Sequence, residues 1–263
     1  MNKYLIIAKS SFMVALSFRA NFLLQTIGSV FMISVLYFFW KSIYSNALVI
    51  NELGFEQAFI YIIFANAIYN LFRTGTDWNL SNSIMKGHII IDFLKPIGIQ
   101  YIYFFDYLGW VLANLITVSI PTFVIAFFCF RLKLALGLNL LVFLLSLLLA
   151  IFINFHFDYF VGLLAFYTES IWGISTAKEV IITFLSGAIV PLPFFPQAIR
   201  QILELLPFSA VYHTPLIILT GSNINLALVM KKVFLQLFWL IALFLFNKLF
   251  YTRASRVLTV NGG

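Results

Sequence analysis

Long apolar runs, separated by short polar interruptions, divide this chain into segments of membrane-crossing size. They are Phe22–Trp40, Gln57–Phe72, Leu108–Phe128, Leu138–Phe157, Ser175–Val190 and Leu226–Phe250. A helix needs about 20 residues to cross about 30 Å of hydrocarbon, and all but the second and fifth come near that length. Inside hydrocarbon every backbone N–H and C=O must be paired within its own segment, so such runs are helices. Apolar character begins at Ile99, ahead of the third segment, and persists to Tyr167, beyond the fourth. Both helices are therefore expected to project past the membrane. The pattern predicts an all-α, polytopic bundle of about six transmembrane helices.

Residues 1–20 carry a different pattern. Polar positions recur at Asn2/Lys3, Lys9/Ser10 and Ser17, with Tyr4, Leu5, Phe12, Leu16 and Phe18 on the other side. That spacing predicts a helix lying in the membrane interface; the alternative is an extension of the first span. A secretory leader is not expected, because Lys9-Ser10-Ser11 interrupts the apolar stretch and no small-residue cleavage site follows.

Composition sharpens the class. Of 263 residues, 63% are hydrophobic and 10% charged, and the mean hydropathy is +1.03. A soluble domain of this length does not look like this. A single cysteine, Cys129, excludes an internal disulfide framework. An even number of spans puts both termini on one side. Ten Lys and Arg fall on the side of the termini (Lys3, Lys9, Arg19, Arg73, Lys86, Lys95, Lys178, Lys248, Arg253 and Arg256). Six fall on the other: Lys41, Arg131, Lys133, Arg200, Lys231 and Lys232. The bias predicts cytoplasmic termini. The net charge of +7 fits anionic headgroups, and nucleic acid is not needed to explain it.

Residues 74–98 form the longest polar stretch. Asp77 is a candidate helix N-cap, and Pro96 bars helix continuation. Between them Ile84, Met85, Ile89, Ile90, Ile91, Phe93 and Leu94 make a short element too punctuated to cross a membrane and too apolar for a solvated loop. It is either a membrane-skimming helix or a docking site for a soluble subunit. The fifth span is stopped by Pro191, Pro193 and Pro196, each of which removes a backbone donor. After it, Gln197–Leu206 has helical spacing, Pro207-Phe208 breaks the chain, and Thr214–Leu219 dips back. Residues 191–222 are thus expected to form a re-entrant cap. Broken helices at membrane depth are tolerated where protein buries them or a cavity hydrates them.

These segments resemble the type-2 ATP-binding-cassette exporter permeases, in particular a bacterial branch of small permeases that pair with a separate ATPase. The resemblance rests on the interfacial helix, on Ile84-Met85-Lys86-Gly87 followed by Asp92-Phe93-Leu94-Lys95-Pro96-Ile97, and on Phe184-Leu185-Ser186-Gly187-Ala188-Ile189-Val190-Pro191-Leu192 followed by Phe195-Pro196, Leu206-Pro207-Phe208 and Pro215. It implies a connecting helix at the N-terminus and a coupling helix within Ser81–Pro96 seated in a cleft of the ATPase. The ATPase-coupling residues would be Ile84, Met85, Lys86, Gly87, Asp92, Leu94, Lys95 and Pro96. The cap would close the outer end of a pathway enclosed by two permeases, alike or different. Lys178-Glu179 inside a short fifth span departs from that pattern.

A phosphate-binding loop needs Gly-x-x-x-x-Gly-Lys-Ser/Thr, and this sequence contains no Gly-Lys pair. ATP and Mg are therefore expected on the partner ATPase, with no cofactor on this chain. Phe194 and Phe195, with Pro191, Pro193 and Pro196, are the expected outer gate. Asp106 and Asp158, with Asn154 nearby, are pathway candidates; the alternative is interface anchors paired with Lys or water. Lys178 is expected to reach toward water and Glu179 into the bundle. Asn66, Asn70 and Asn114 read as hydrogen-bonding links between helices, and His88 and His213 as polar surface residues. His156 beside the two carboxylates lacks a second His-containing motif to complete a metal site. With three His and one Cys there is little from which to build an enzyme.

The expected function is a permease subunit of an ABC exporter in a bacterial inner membrane, moving an amphipathic or hydrophobic drug, lipid or peptide. An ion-gradient-driven transporter is the alternative, and a lipid-modifying membrane enzyme a further one.

Overall fold

The computed structural model describes residues 3–46, 49–50, 53–130, 137–221 and 226–257. Asn2, Arg131, Lys133 and Ser222, which entered the sequence expectations, lie outside these residues. The helices are α1 (Lys3–Ser17), α2 (Arg19–Ile43), α3 (Phe55–Phe72), α4 (Thr76–Met85), α5 (Ile89–Phe93) and α6 (Ile99–Asn114). They continue with α7 (Ile120–Phe130), α8 (Leu138–Leu163), α9 (Trp172–Leu185), α10 (Gln197–Leu205), α11 (His213–Thr220) and α12 (Leu226–Ala254). A two-residue antiparallel pair, β1 (Val49–Ile50) with β2 (Leu53–Gly54), joins α2 to α3. The all-α bundle predicted from the apolar pattern is what forms.

Five helical stretches among the described residues are long and apolar enough to cross a bilayer. The third expected span is α6 and α7 run together through a single π turn at Leu115–Ser119, and it starts at Ile99 as the sequence implied. The fourth, α8, likewise runs on to Leu163. The expected fifth span is α9, shifted to Trp172–Leu185 and only 14 residues long. At 1.5 Å per residue it reaches about 21 Å, short of the hydrocarbon thickness. Its end is chemically determined. Gly187 adopts φ 81°, the Ala188 N–H donates to the Thr183 carbonyl (3.2 Å), and the Gly187 N–H faces the Phe184 carbonyl (3.5 Å). This is a glycine-terminated helix in which the αL residue satisfies the last carbonyls, with Pro191 following to prevent resumption.

α8 is the axis of the bundle. α4, α6, α11 and α12 all pack on it. Its Phe155, Tyr159 and Ile153 are buried with Tyr61 of α3, Tyr107 of α6 and Leu216 of α11. α2 and α12 are peripheral and leave Leu23, Phe31, Phe38, Phe234, Phe238 and Leu249 exposed, as lipid-facing helices do. Polar links hold the periphery. Asn70 donates to Ser29 Oγ of α2 (2.9 Å), and Asn114 to the Arg73 carbonyl (3.0 Å). Gln236 of α12 pairs with Ser146 (2.8 Å) and donates to the Ala210 carbonyl (2.8 Å). Between helices such bonds replace the hydrophobic drive that lipid does not supply.

α1 is a helix separate from α2, broken at Phe18, and it lies along α6. Ser11 and Ala15 face α6, Tyr4 stacks on Phe105 at 5.0 Å, and Leu5, Met13 and Val14 stay exposed. That apolar outer face is what an interfacial helix presents to lipid.

Candidate functional site

The expected coupling region divides into a buried half and an exposed half. α3 ends at Phe72, and α4 restarts behind Gly75, which occupies the N-cap position. Asp77 is therefore not the cap. It sits inside the first turn, and its second carboxylate oxygen points across to α9. Leu80, Ser81 and Ile84 of α4 are buried against the bundle. The contact with α8 is close because residue 162 is glycine: a Cβ there would lie 2.8 Å from Leu80 Cδ2 and 2.9 Å from its Cβ.

Beyond Ile84 the surface changes. Met85, Ile90, Ile91, Phe93 and Leu94 are exposed, Leu94 to 81%. Only Ile89 of α5 is buried. The element is staked at its far end by the ion pair of Lys95 with Asp92 (2.7 Å), by the Tyr103 hydroxyl donating to Asp92 (3.2 Å), and by Lys3 Nζ donating to the Pro96 carbonyl (2.7 Å). Of the residues the sequence marked, Ile84 belongs to the bundle. Lys86 is exposed, and the Gly87 turn connects α4 to α5. Asp92 ties the element to α6 and Pro96 ties it to α1, while Lys95 pairs with Asp92 within it.

A polar cluster joins this region to the rest of the protein. Lys178 of α9 lies between Asp77 of α4 (2.8 Å) and Asp158 of α8, and Ser175 one turn earlier donates to Asp77. Asn154 donates to Asp158 (3.2 Å) and to the Tyr107 hydroxyl (3.4 Å). Burying one ammonium against two carboxylates is tolerable because each group is paired or hydrogen-bonded. The expected orientation of Lys178 and Glu179 is reversed. Lys178 turns inward because two acids await it, and Glu179 is exposed, accepting from the Tyr69 hydroxyl (2.6 Å). Among the pathway candidates, Asn154 and Asp158 come together. Asp106 does not join them and instead accepts from Ser11 of α1.

The cluster forms the floor of a cavity of about 320 Å³ between α3, α4, α8, α9 and the start of α11. Tyr69, Phe72, Trp78 and Tyr212 supply its aromatic walls, and Arg73 and Glu179 stand with them. Asp77, Lys178 and Tyr212 escaped sequence reasoning as a site. The available signal was charges at 158 and 178 within apolar runs and one at 77 at the edge of a polar stretch; what pairs them is tertiary packing.

At the other end, Pro191 and Pro193 are buried. Phe194 packs on Trp40 of α2 at 4.8 Å, and Phe195 meets Phe184 of α9 at 5.9 Å. Pro196 precedes α10 and is exposed. The cap is riveted by Glu204, which reaches Arg200 (2.7 Å) and Lys232 of α12 (3.1 Å), with His213 at 3.6 Å. The imidazole of His213, with the Arg200 and Lys232 charges, holds the Glu204 carboxyl well below the usual carboxylate range. His213, expected on the surface, is 1% exposed, because α11 turns back into the core against Tyr61 and α8. Nδ1 of the His156 ring lies 3.1 Å from the Asn247 side-chain amide of α12, which also donates to the His156 carbonyl. No cluster of metal-binding side chains occurs among the described residues.

Residues 30–262 match the family described as ABC-2 family transporter protein. The chain belongs to the ABC-2 transporter family. No curated protein matches it at a significant level. As an ABC-2 permease it is an integral membrane component of an ABC transporter, in keeping with its five long apolar helices. In this ABC-2 permease helix α4 and the short helix α9 are bonded directly through Asp77 and Lys178.

Proposed function

We propose that this permease is the membrane half of a bacterial inner-membrane exporter, driven by ATP that a separate nucleotide-binding subunit hydrolyses on the Met85–Leu94 tip. Two permeases, identical or sister chains, enclose the pathway, both termini face the cytoplasm, and ATP with Mg is bound by the partner. The observation that carries this reading is a rigidly staked, exposed apolar tip continuous with a helix that is buried in the bundle. A freely solvated loop has no reason to present Ile91 and Leu94 to water, and a patch of this kind marks a protein or membrane contact. Movement of the tip is carried by α4 into α8 at Gly162 and into α9 at Lys178. α9 leads straight to the proline-rich cap, so one push at the tip is felt at the outer end. The cargo is an amphipathic or hydrophobic molecule.

The test is purification from a native membrane in mild detergent. An ABC ATPase co-purifies with the chain, and Leu94→Asp releases it. A chain that purifies alone and moves cargo on a proton gradient is instead a secondary transporter, and this proposal fails.

A further inference from the structure

The polar cavity carries more information than its role in linking helices. Lys178 is shared by Asp77 and Asp158, so this floor of the cavity holds one negative charge in excess. Glu179 adds another, and no Lys or Arg among the described residues pairs with it; its carboxylate accepts from Tyr69. The cation at the rim, Arg73, is exposed and lies over the Tyr69 ring at 5.9 Å. The cavity therefore offers a carboxylate that the protein itself has not neutralised.

The walls fit the same ligand. Tyr69, Phe72, Trp78 and Tyr212 surround the space, and aromatic faces attract organic cations most strongly where water is excluded. Tyr212 adds an independent sign. It is 2% exposed, its ring packs edge-on against Phe72 at 5.7 Å, and it lines the cavity. A phenol at a cavity wall can donate a hydrogen bond to a ligand or accept one from it.

We infer that this cavity is a binding site for an amphipathic organic cation, with Glu179 as its counter-charge and Tyr212 as a polar contact, and that such a cation is cargo. The inference rests on the permease reading above and narrows its substrate class. A neutral lipid leaves Glu179 unmatched, and an anionic one is repelled by it. The volume of about 320 Å³ lies at the small end of the range for ligand pockets, suited to a cationic head whose apolar remainder extends through the open side.

The test uses the full chain in lipid nanodiscs, with radiolabelled tetraphenylphosphonium as probe and tetraphenylborate as a competitor of like size and opposite charge. Binding above empty nanodiscs saturates with tetraphenylphosphonium, and tetraphenylborate does not displace it. Glu179→Gln keeps an acceptor for Tyr69 and weakens binding about tenfold, as loss of the counter-charge beside the aromatic walls should. Tyr212→Phe keeps the packing on Phe72 and costs about threefold, the worth of one hydrogen bond. Displacement by tetraphenylborate, or undiminished binding in Glu179→Gln, overturns the inference. Co-purification of the ATPase is scored on the same samples. Absent cation binding with the ATPase attached sinks the cation site alone, whereas saturable binding without an ATPase sinks the exporter reading and leaves the cation site in place.

Discussion

Lys178 Nζ on α9 lies 2.8 Å from Asp77 Oδ2 on α4, a contact that spans 101 positions of sequence. The two helices have few other means of holding each other. α9 is short, and Val180, Ile181 and Phe184 face outward. A charge shared with Asp158 of α8 thus stands in for the packing a longer helix would have made.

Replacing Lys178 with Met leaves Asp77 and Asp158 without their common cation. Removing one partner of a buried ion pair costs about 3 kcal/mol or more, since the remaining charge stays desolvated. Lys178→Met should therefore lower thermal stability in detergent, and Asp158→Asn in the same chain should recover part of the loss. Reconstituted with its ATPase, the single variant should hydrolyse ATP with little transport, because the link from α4 to α9 is gone. Wild-type transport per ATP in Lys178→Met would show that α4 and α9 are coupled some other way.

Leu94 tests the tip separately from the bundle. It is 81% exposed, so Leu94→Asp should leave the unfolding temperature within experimental error while abolishing ATPase co-purification. Ile84, ten residues earlier, is 8% exposed and packs inward. Ile84→Asp should destabilise the whole chain by about 3 kcal/mol, the cost of forcing a charge among apolar neighbours. If both variants merely lose stability, the tip is structural and the ATPase docks elsewhere.

Much of this architecture was legible in the apolar pattern. The overrun of α6 from Ile99 and of α8 past Phe157 followed from apolar residues continuing beyond a membrane's thickness. So did the abrupt end of α9, since glycine and proline act through local backbone sterics. The linking roles of Asn70 and Asn114 were likewise visible, because few other partners exist in lipid. Side-chain direction was not legible. Asp77 had the residue type and position of an N-cap, yet Gly75 takes that place, and the carboxylate finds a stronger partner in an ammonium. His213 follows a proline break and reads as loop, but the cap folds back, and only tertiary packing decides that. The candidate cavity escaped for the same reason, being assembled from four helices and one turn.

Gly162 and Leu80 make a second test of the path from tip to bundle. Alanine at 162 brings its Cβ to 2.9 Å from Leu80 Cβ, which cannot swing away as a side-chain tip could. Either α4 moves off α8 or the packing is strained, at a cost of about 1–3 kcal/mol. Gly162→Ala should thus destabilise the permease and depress transport per ATP hydrolysed. Gly162→Ala with Leu80→Gly removes the opposing Cβ and should restore the fit between helices, at the expense of lost apolar contact and some helix propensity in α4. Limited proteolysis near Gly75 and Lys86 is the readout: more rapid cleavage in the single variant, and slower again in the double.

The cap offers the test at the far end. Gly187 holds φ 81°, its carbonyl accepts from the Tyr61 hydroxyl at 3.1 Å, and a side chain there would meet Leu192 Cγ at 2.9 Å. The chain is thereby forced into a sharp exit from α9, which Pro191 and Pro193 then keep from becoming helical. Pro191→Ala with Pro193→Ala introduces two backbone N–H groups and removes the barrier to extending the helix. The aromatic pair Phe194 and Phe195 would lose its fixed positions against Trp40 and Phe184. Export should fall while the ATPase stays bound, because the tip lies at the opposite end of α4 and α8. Site-directed cross-linking between positions 40 and 194, with cysteines introduced at both, should weaken in the proline variant. Were the ATPase to dissociate instead, the prolines would be shaping the bundle as a whole, and the cap could not be regarded as a separately moving outer gate.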